Sequence, residues 1–295
     1  MMRATAVRLS AALTGLLLLT ACGQGLGSAR RSGSSACGAG FSSRPAASRT
    51  PSAAETGGVS ITDPGGGSHE CATFQVTNHG TEPFTYTITF KLLSDAGAAP
   101  QLSSRTVPSV GPGRTVTGTV DPRTDPQDAP EWSRAEIMKV RSVPVDEVPV
   151  EGGHCPSSGV RLYADEGDAA MGLRVVTLHL ENCGADTYRV DGYPRASPLG
   201  EDHQPVNGVR VLHDGSSIAG GTGADGPPRP LDLKPGERAY AGLVWRNTVL
   251  SGTPVNAPYV RVWAKPGAAP VMVTPELDLG TTGKMAVGPW KKGAQ

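Results

Sequence analysis

The sequence predicts an all-β protein: two tandem β-sandwiches that follow a signal peptide and a disordered tether. Three observations carry that reading. Gly (39) and Pro (26) over-supply turns in a chain of 295 residues, well above average usage. From Val59 onward apolar and polar residues alternate with the period of a half-buried strand, without an error in Phe84-Thr85-Tyr86-Thr87-Ile88-Thr89-Phe90-Lys91-Leu92. The residue types there are aromatic, β-branched and Thr, which suit a pleated surface. No segment sustains a helical period, and only Glu131–Lys139 is a candidate short helix.

In chain order, the first block offers strands at Val59–Thr62, Ala72–Asn78, Phe84–Leu92, Gln101–Val107, Arg114–Val120 and Ile137–Val143, with Gly111-Pro112-Gly113 as a turn. Pro144–Gly153 reads as an inter-domain linker. The second block offers Val160–Tyr163, Leu173–Glu181, Tyr188–Val190, Val209–His213, Leu231–Leu233, Arg238–Trp245, Tyr259–Trp263, Val271–Val273 and Lys284–Val287. The expected organisation is a signal peptide at 1–21, a tether at 22–58, an N-terminal sandwich at 59–147 and a C-terminal sandwich at 148–295. Gly23–Gly58 is Gly, Ser, Ala, Arg and Pro with almost no branched apolar residue. It cannot bury a core and reads as a flexible stalk.

Lys+Arg 27 balances Asp+Glu 27. Nucleic-acid binding needs a clustered basic excess, so this balance argues against that partner and against a disordered polyelectrolyte.

The first segment is an address. Arg3 and Arg8 form a positive start, and Leu9–Ala21 an apolar stretch with Leu16, Leu17, Leu18 and Leu19 in a row. As a helix it would rise about 20 Å, short of the roughly 30 Å hydrocarbon core. Leu19-Thr20-Ala21-Cys22 resembles the bacterial lipobox, a branched apolar residue and two small ones before Cys. The resemblance implies cleavage before Cys22 and acylation of its thiol and new amine. Two or three acyl chains make anchoring effectively permanent, so the expected location is the extracytoplasmic face of the cell membrane.

Five cysteines minus one lipidated leave four in an oxidising compartment. Three pairings are possible. The local one joins Cys155 to Cys183 and Cys37 to Cys71. A metal site is the rival, but His69-x-Cys71 and His154-Cys155 are isolated neighbours rather than a tetrahedral set.

The blocks look like distant copies. Phe74-Gln75-Val76-Thr77-Asn78-His79-Gly80 aligns with Leu178-His179-Leu180-Glu181-Asn182-Cys183-Gly184, and Val110-Gly111-Pro112-Gly113-Arg114 with Leu233-Lys234-Pro235-Gly236-Glu237. The alternative is that strand–turn–strand sequences share a common grammar.

Cys155, Leu180-Glu181-Asn182, Cys183, Gly192-Tyr193-Pro194, Leu233-Lys234-Pro235-Gly236 and Pro289-Trp290 follow one another in the order of a family pattern. From Cys155 onward the chain resembles domain-of-unknown-function family 4232, found in actinobacterial lipoproteins. The resemblance implies an immunoglobulin-like sandwich on an exported protein, with no known activity and no catalytic residues.

Other motifs fail on context. Gly221-Thr222-Gly223-Ala224-Asp225-Gly226 fits G-x-G-x-x-G, but Pro227-Pro228-Arg229-Pro230 follows and forbids the helix a dinucleotide site needs. It reads as a mobile loop. Gly215-Ser216-Ser217-Ile218-Ala219 lacks the strand–turn–helix of a nucleophile elbow. His69, His79, His154, His179, His203 and His213 are scattered, with His179 facing solvent. Asp146-Glu147 and Glu201-Asp202 sit in loops. Trp132, Trp245, Trp263 and Trp290 are core candidates.

What remains is a non-catalytic binding or interaction lipoprotein of the cell envelope, with no cofactor and no metal. It would meet an envelope protein or a small ligand through loops at the sandwich ends, Ser197–Asp202 and His213–Pro230 being the longest. The alternatives are an envelope hydrolase and a metal or small-ligand carrier. Replacing Cys22 by Ser should move the protein out of the detergent-extracted membrane fraction; a Cys22→Ser chain that stays membrane-bound at unchanged mass would refute the anchor.

Overall fold

The computed structural model describes residues 40–45, 55–65, 71–120 and 132–293. The signal segment, Cys22, Cys37 and His69 lie outside the described residues. All described residues fall in one unit, Ala36–Gln295.

The first module contains β1 (Ser42–Pro45), β2 (Val59–Asp63), β3 (Ala72–Thr77), β4 (Phe84–Leu93), β5 (Gln101–Val110), β6 (Arg114–Val120) and β7 (Arg134–Pro144). The second contains β8 (Val160–Ala164), β9 (Asp168–Ala170), β10 (Leu173–Asn182), β11 (Tyr188–Val190), β12 (Arg195–Leu199), β13 (Arg210–His213) and β14 (Leu231–Leu233). It continues with β15 (Arg238–Arg246), β16 (Asn256–Ala257), β17 (Tyr259–Trp263), β18 (Val271–Val273), β19 (Leu277–Asp278), β20 (Lys284–Val287) and β21 (Lys291–Lys292). The described residues form no α-helix, only 3-10 turns at Val145–Glu147 and Gly215–Ser217.

In the first module a sheet ordered β1-β6-β3-β2 faces a sheet ordered β5-β4-β7. Their inward residues share one core, with Phe74 and Phe90 rings 5.0 Å apart at its centre. The alternation read in Phe84–Leu92 is realised: every second residue of β4 is buried. In the second module the path β13-β20-β15-β10-β8 faces β12-β17-β18 over a core that includes Leu178, Leu243, Val262, Trp245 and Trp290.

Three sequence expectations need correction. Of the helix expected at Glu131–Lys139, the described residues 132–139 form none: β7 covers the stretch from Arg134, with Ala135 and Ile137 opposite Leu92 and Phe90 of β4. A register shift there leaves Met138 exposed. Part of the expected stalk is structured. Ser42–Pro45 pairs antiparallel with β6, and the Phe41 ring occupies the notch above Gly118. Without β1 the backbone groups along that edge of β6 would be unpaired. The linker Pro144–Gly153 is also not free, since Val148 packs with Val143, Leu199, Tyr259 and Met272.

The two alignments of the sequence converge on one device. The Asn78 side chain donates to the carbonyls of Glu82 (2.8 Å) and Val110 (2.7 Å) and accepts from Gly80 N (2.8 Å). Its backbone donates to Arg114 O and accepts from Gly113 N. The Asn182 side chain donates to Asp186 O (2.7 Å) and Leu233 O (2.7 Å) and accepts from Gly184 N (3.1 Å). Its backbone donates to Glu237 O and accepts from Gly236 N. Each partner of Asn182 is the aligned counterpart of a partner of Asn78. Both amides are essentially fully buried. Truncating either would leave one buried carbonyl, Val110 O or Leu233 O, without a donor at about 1–3 kcal/mol, and would break the bond to the part-buried carbonyl of Glu82 or Asp186. Asn182→Ala should therefore lower the unfolding free energy by about 2–3 kcal/mol, measured by urea titration; a loss under about 0.5 kcal/mol would show that the amide is not structural.

Candidate functional site

Cys155 and Cys183 are disulfide-bonded with Cα atoms 5.7 Å apart, inside the range an unstrained bridge allows. Cys71 is also disulfide-bonded, and its expected partner Cys37 lies outside the described residues. Among the described residues no group of three or more His, Cys, Asp or Glu could hold a metal ion.

The described histidines do not converge. His79 contacts Glu55 at 2.8 Å, and His154 is exposed. His179 stacks on Tyr163 and lies 3.6 Å from Asp165. His213 stacks flat on Tyr193 at 4.4 Å. That stack gives Gly192-Tyr193-Pro194 a structural purpose, completed where Trp290 N donates to Gly192 O. Of the tryptophans, Trp245 and Trp290 are core. Trp132 and Trp263 are half-buried, the latter under the Arg195 guanidinium.

The G-x-G-x-x-G segment is pinned rather than mobile. Ala224 is buried against three glycines: a Cβ on Gly215, Gly242 or Gly288 would meet its methyl at 2.7, 2.6 and 2.9 Å. Asp214 accepts from Ser216 N and Gly226 N, and Asp225 from Gly221 N and Thr222 Oγ1. Those bonds hold both carboxyls below their ordinary value.

Ser197–Asp202 is no free loop either. Its first half is β12, paired with β17, and its second half docks on the first module. There His203 stacks on Phe84 at 5.3 Å, meets Tyr259 edge-on at 4.7 Å and lies 3.4 Å from Ser142 Oγ. Tyr259 Oη accepts from Ser142 N at 3.1 Å. Arg141 forks onto Glu276, Nε to Oε1 at 2.7 Å and Nη2 to Oε2 at 2.5 Å, and reaches Glu201 at 3.3 Å. Arg261 donates to Glu147 at 2.7 Å. Burial alone would lower the Arg141 pKa, but the hydrogen bond and charge of Glu276 raise it. His203 and Glu276 both have φ of 58°, a left-handed conformation that is uncommon outside glycine. Two strained residues therefore meet at one joint between the modules. His203 and Ser142 make a His–Ser contact, but among the described residues no carboxylate hydrogen-bonds that ring, and two aromatic rings enclose it.

Beside the joint lies a cleft of about 440 Å³, within the size range of small-molecule sites. It opens where the sheet edges at β8 and β18 approach, and the segment Val145–Val150 lines one side. Val148, Val150, Val160, Leu162, Ala268 and Val271 supply most of its wall. Polar groups stand at few points: Asp146, Ser158, Tyr188 and Lys265. The Lys265 ammonium sits 3.8 Å over the Tyr188 ring and donates to Arg189 O at 3.1 Å. Burial raises the Tyr188 phenol above its ordinary value. A second concavity of about 410 Å³ runs along the outer face of β4, where Thr85, Thr87 and Thr89 face Lys139, Arg141 and Glu276. The sequence reading missed the cleft, because its walls come from four separated segments whose valines and alanines look like any strand residue.

Residues 155–291 match the family model described as Domain of unknown function (DUF4232). No curated protein is significantly similar to the chain. A solved structure assigned as a beta-galactosidase from Bacteroides fragilis is similar over 73% of this chain and 34% of that one, at 11% identity and a TM-score of 0.26. The chain thus spans about a third of that protein's length, and the likeness is too slight to define a shared fold.

Burial, chiefly, holds the His203 imidazole below its ordinary value of 6.5, with Arg261 pushing the same way and Ser142, Glu82 and Glu147 opposing. The folded chain then binds fewer protons than the unfolded chain between the two values. The His203 contribution to stability is whole above about pH 6.5 and is lost as pH falls through the folded value. The melting temperature should hold steady from pH 8 to 7 and fall below about 6.5, before carboxylates titrate. His203→Phe should flatten that step; a profile unchanged by the substitution would exclude His203 as its source.

Proposed function

We propose that this protein is a lipid-anchored, extracytoplasmic binding protein without catalytic activity, built of two immunoglobulin-like sandwiches, and that its ligand occupies the apolar cleft between β8, β18 and the Val145–Val150 segment. The sheet orders β2-β3-β6 and β5-β4-β7 support the immunoglobulin-like reading, since β3 pairs with β6 while β4 and β5, which lie between them in sequence, belong to the facing sheet. The observation that carries the binding reading is the composition of the cleft. An aliphatic wall enclosing about 440 Å³ selects by apolar burial, and its few polar groups fix orientation. The ligand class is a small, mainly apolar molecule with one polar end, the apolar body lying along Val160, Leu162 and Val271 and the polar end near Lys265 and Asp146. Anchoring at Cys22 would hold such a site near the membrane, where apolar molecules of this kind are concentrated.

Ala268 packs against the core at the cleft wall. N-phenylnaphthylamine, a neutral apolar fluorophore, should bind the wild-type chain saturably at one site. Ala268→Trp should weaken that binding at least tenfold while the melting temperature moves little. Equal probe binding by the Ala268→Trp chain would place the ligand elsewhere and sink the assignment.

A further inference from the structure

We infer that two adjoining loop tips at the far end of β10 insert into a lipid surface. Three large apolar side chains are exposed there: Met171 at 101%, Leu250 at 80% and Val249 at 60%. Met171 turns the β9–β10 hairpin. Val249 and Leu250 lie in the segment that leaves β15, the direct neighbour of β10. The register pairs Leu173 with Arg246, and Asn247 N donates to Gly172 O at 2.9 Å, so the two tips stand side by side. The second tip is braced: Leu250 N donates to Thr281 Oγ1 at 2.9 Å, and Thr281 N to Thr248 O at 3.0 Å.

Met171 is doubly unfavourable where it stands. Its φ is 47°, a conformation that glycine or asparagine adopts at less cost, and its whole side chain is in water. A strained residue that also exposes its full apolar surface points to a role outside the folded body. The charge pattern identifies the partner. Neither 169–173 (Ala-Ala-Met-Gly-Leu) nor 247–255 (Asn-Thr-Val-Leu-Ser-Gly-Thr-Pro-Val) holds an ionisable residue. The first charges back along the strands that bear the tips are Asp168 on β9, Arg174 on β10 and Arg246 on β15. At about 3.3 Å per strand residue they stand roughly 10 Å behind the tips. That is the depth at which an amphipathic element places its charges among headgroups while its apolar end reaches the acyl chains. Arg174 is already paired with Asp278 at 3.2 Å, so the insertion is apolar rather than electrostatic. The tips are convex. A protein partner would need a complementary surface of the order of a thousand Å², whereas a bilayer accepts protruding side chains of any outline.

The inference is independent of the cleft, and it takes from the proposed function only its membrane setting. The test removes the anchor. All described elements lie after residue 39, so the chain from residue 22 carrying Cys22→Ser retains them and has no acyl chains. It should co-sediment with pure phosphatidylcholine vesicles, and added salt should change the bound fraction little. A Leu250→Trp reporter should shift its emission to the blue and be quenched by brominated lipid. Met171→Asp and Leu250→Asp should each cut the bound fraction at least tenfold, and Leu102→Asp and Met138→Asp, at exposed apolar positions elsewhere, should not. Vesicle binding unaffected by both tip substitutions would overturn the inference, as would no binding at all. So would a vesicle-free dimer that the tip substitutions dissolve, since the tips would then serve a second copy of the chain. N-phenylnaphthylamine binding in the cleft should be the same in the tip variants, so failure of one assignment does not imply failure of the other.

Discussion

The buried side-chain amide at the end of β3, and its counterpart at the end of β10, is the constraint on which the rest of this structure rests. An asparagine amide in a dry interior is stabilising only if its donors and acceptor are used. Here Asn78 and Asn182 use them to tie the turn that follows the strand to the end of a later strand, two strands on at Val110 and four strands on at Leu233, next to the Pro-Gly turn that reverses it. The Pro-Gly turn supplies one more bond, because Gly113 and Gly236 N each donate to the Asn carbonyl. Once those contacts form, the central pairings β3–β6 and β10–β15 have only one register. Thr77 then lies opposite Thr115, and Glu181 opposite Arg238, at aligned positions of the two modules. Such agreement in both register and bonding is more than common strand grammar requires, and it makes the modules structural repeats.

The repeats diverge in how they complete their edges. Beyond β15 the second module places β20, whose Met285 and Val287 are buried core, and the two-lysine strand β21. Beyond β6 the described residues of the first module place only β1, four residues drawn from the tether, all of them exposed. The second module therefore carries the larger core, and with it the family match, the Cys155–Cys183 disulfide and most of the cleft wall. The first module contributes its outer sheet face to the joint. That joint is polar at its rim, where Arg141, Glu276, Arg261 and Glu147 are each partly accessible, and apolar inside, where Val143, Val148, Leu199, Tyr259 and Met272 meet. Exposed ion pairs add little stability, so the apolar group and the enclosed His203 ring hold the modules together while the ion pairs fix their register.

Much of the fold was legible in the sequence because period two and turn chemistry are local signals. Tyr188–Val190, Tyr259–Trp263, Val271–Val273 and Lys284–Val287 run as strands between the bounds read from sequence alone. The misses share a physical cause. β12 contains Pro198, which reads as a loop; it is tolerated because β12 is the edge of its sheet and pairs only with β17. β1 looks like tether because all four of its side chains face water and only its backbone is satisfied. Helix and strand compete at Glu131–Lys139 because a register shift breaks the alternation there. The joint and the cleft were not legible at all. Arg141 and Glu276 are separated by 135 positions, and no local pattern marks residues that meet across modules. Left-handed backbone at His203, Glu276 and Met171, shared with Ser109 and Asp214 elsewhere, marks the joint and the tips only in three dimensions.

The arrangement along β10 ties these sites to one rigid element. One end of the strand carries Asn182 and, next to it, the disulfide to Cys155, whose following residues Pro156 and Ser158 reach the cleft. The other end carries the Met171 tip. The strand between them is paired on both sides, by β15 and by β8 with β9, so it cannot bend independently of the sheet. The cleft's opposite wall belongs to the Val145–Val150 segment, and Val148 faces both the cleft and the joint core. A side chain of Val148's size cannot fill two spaces at once, because interiors pack at near-crystalline density and voids are costly. Packing in the cleft and closure of the joint are consequently one problem solved at Val148.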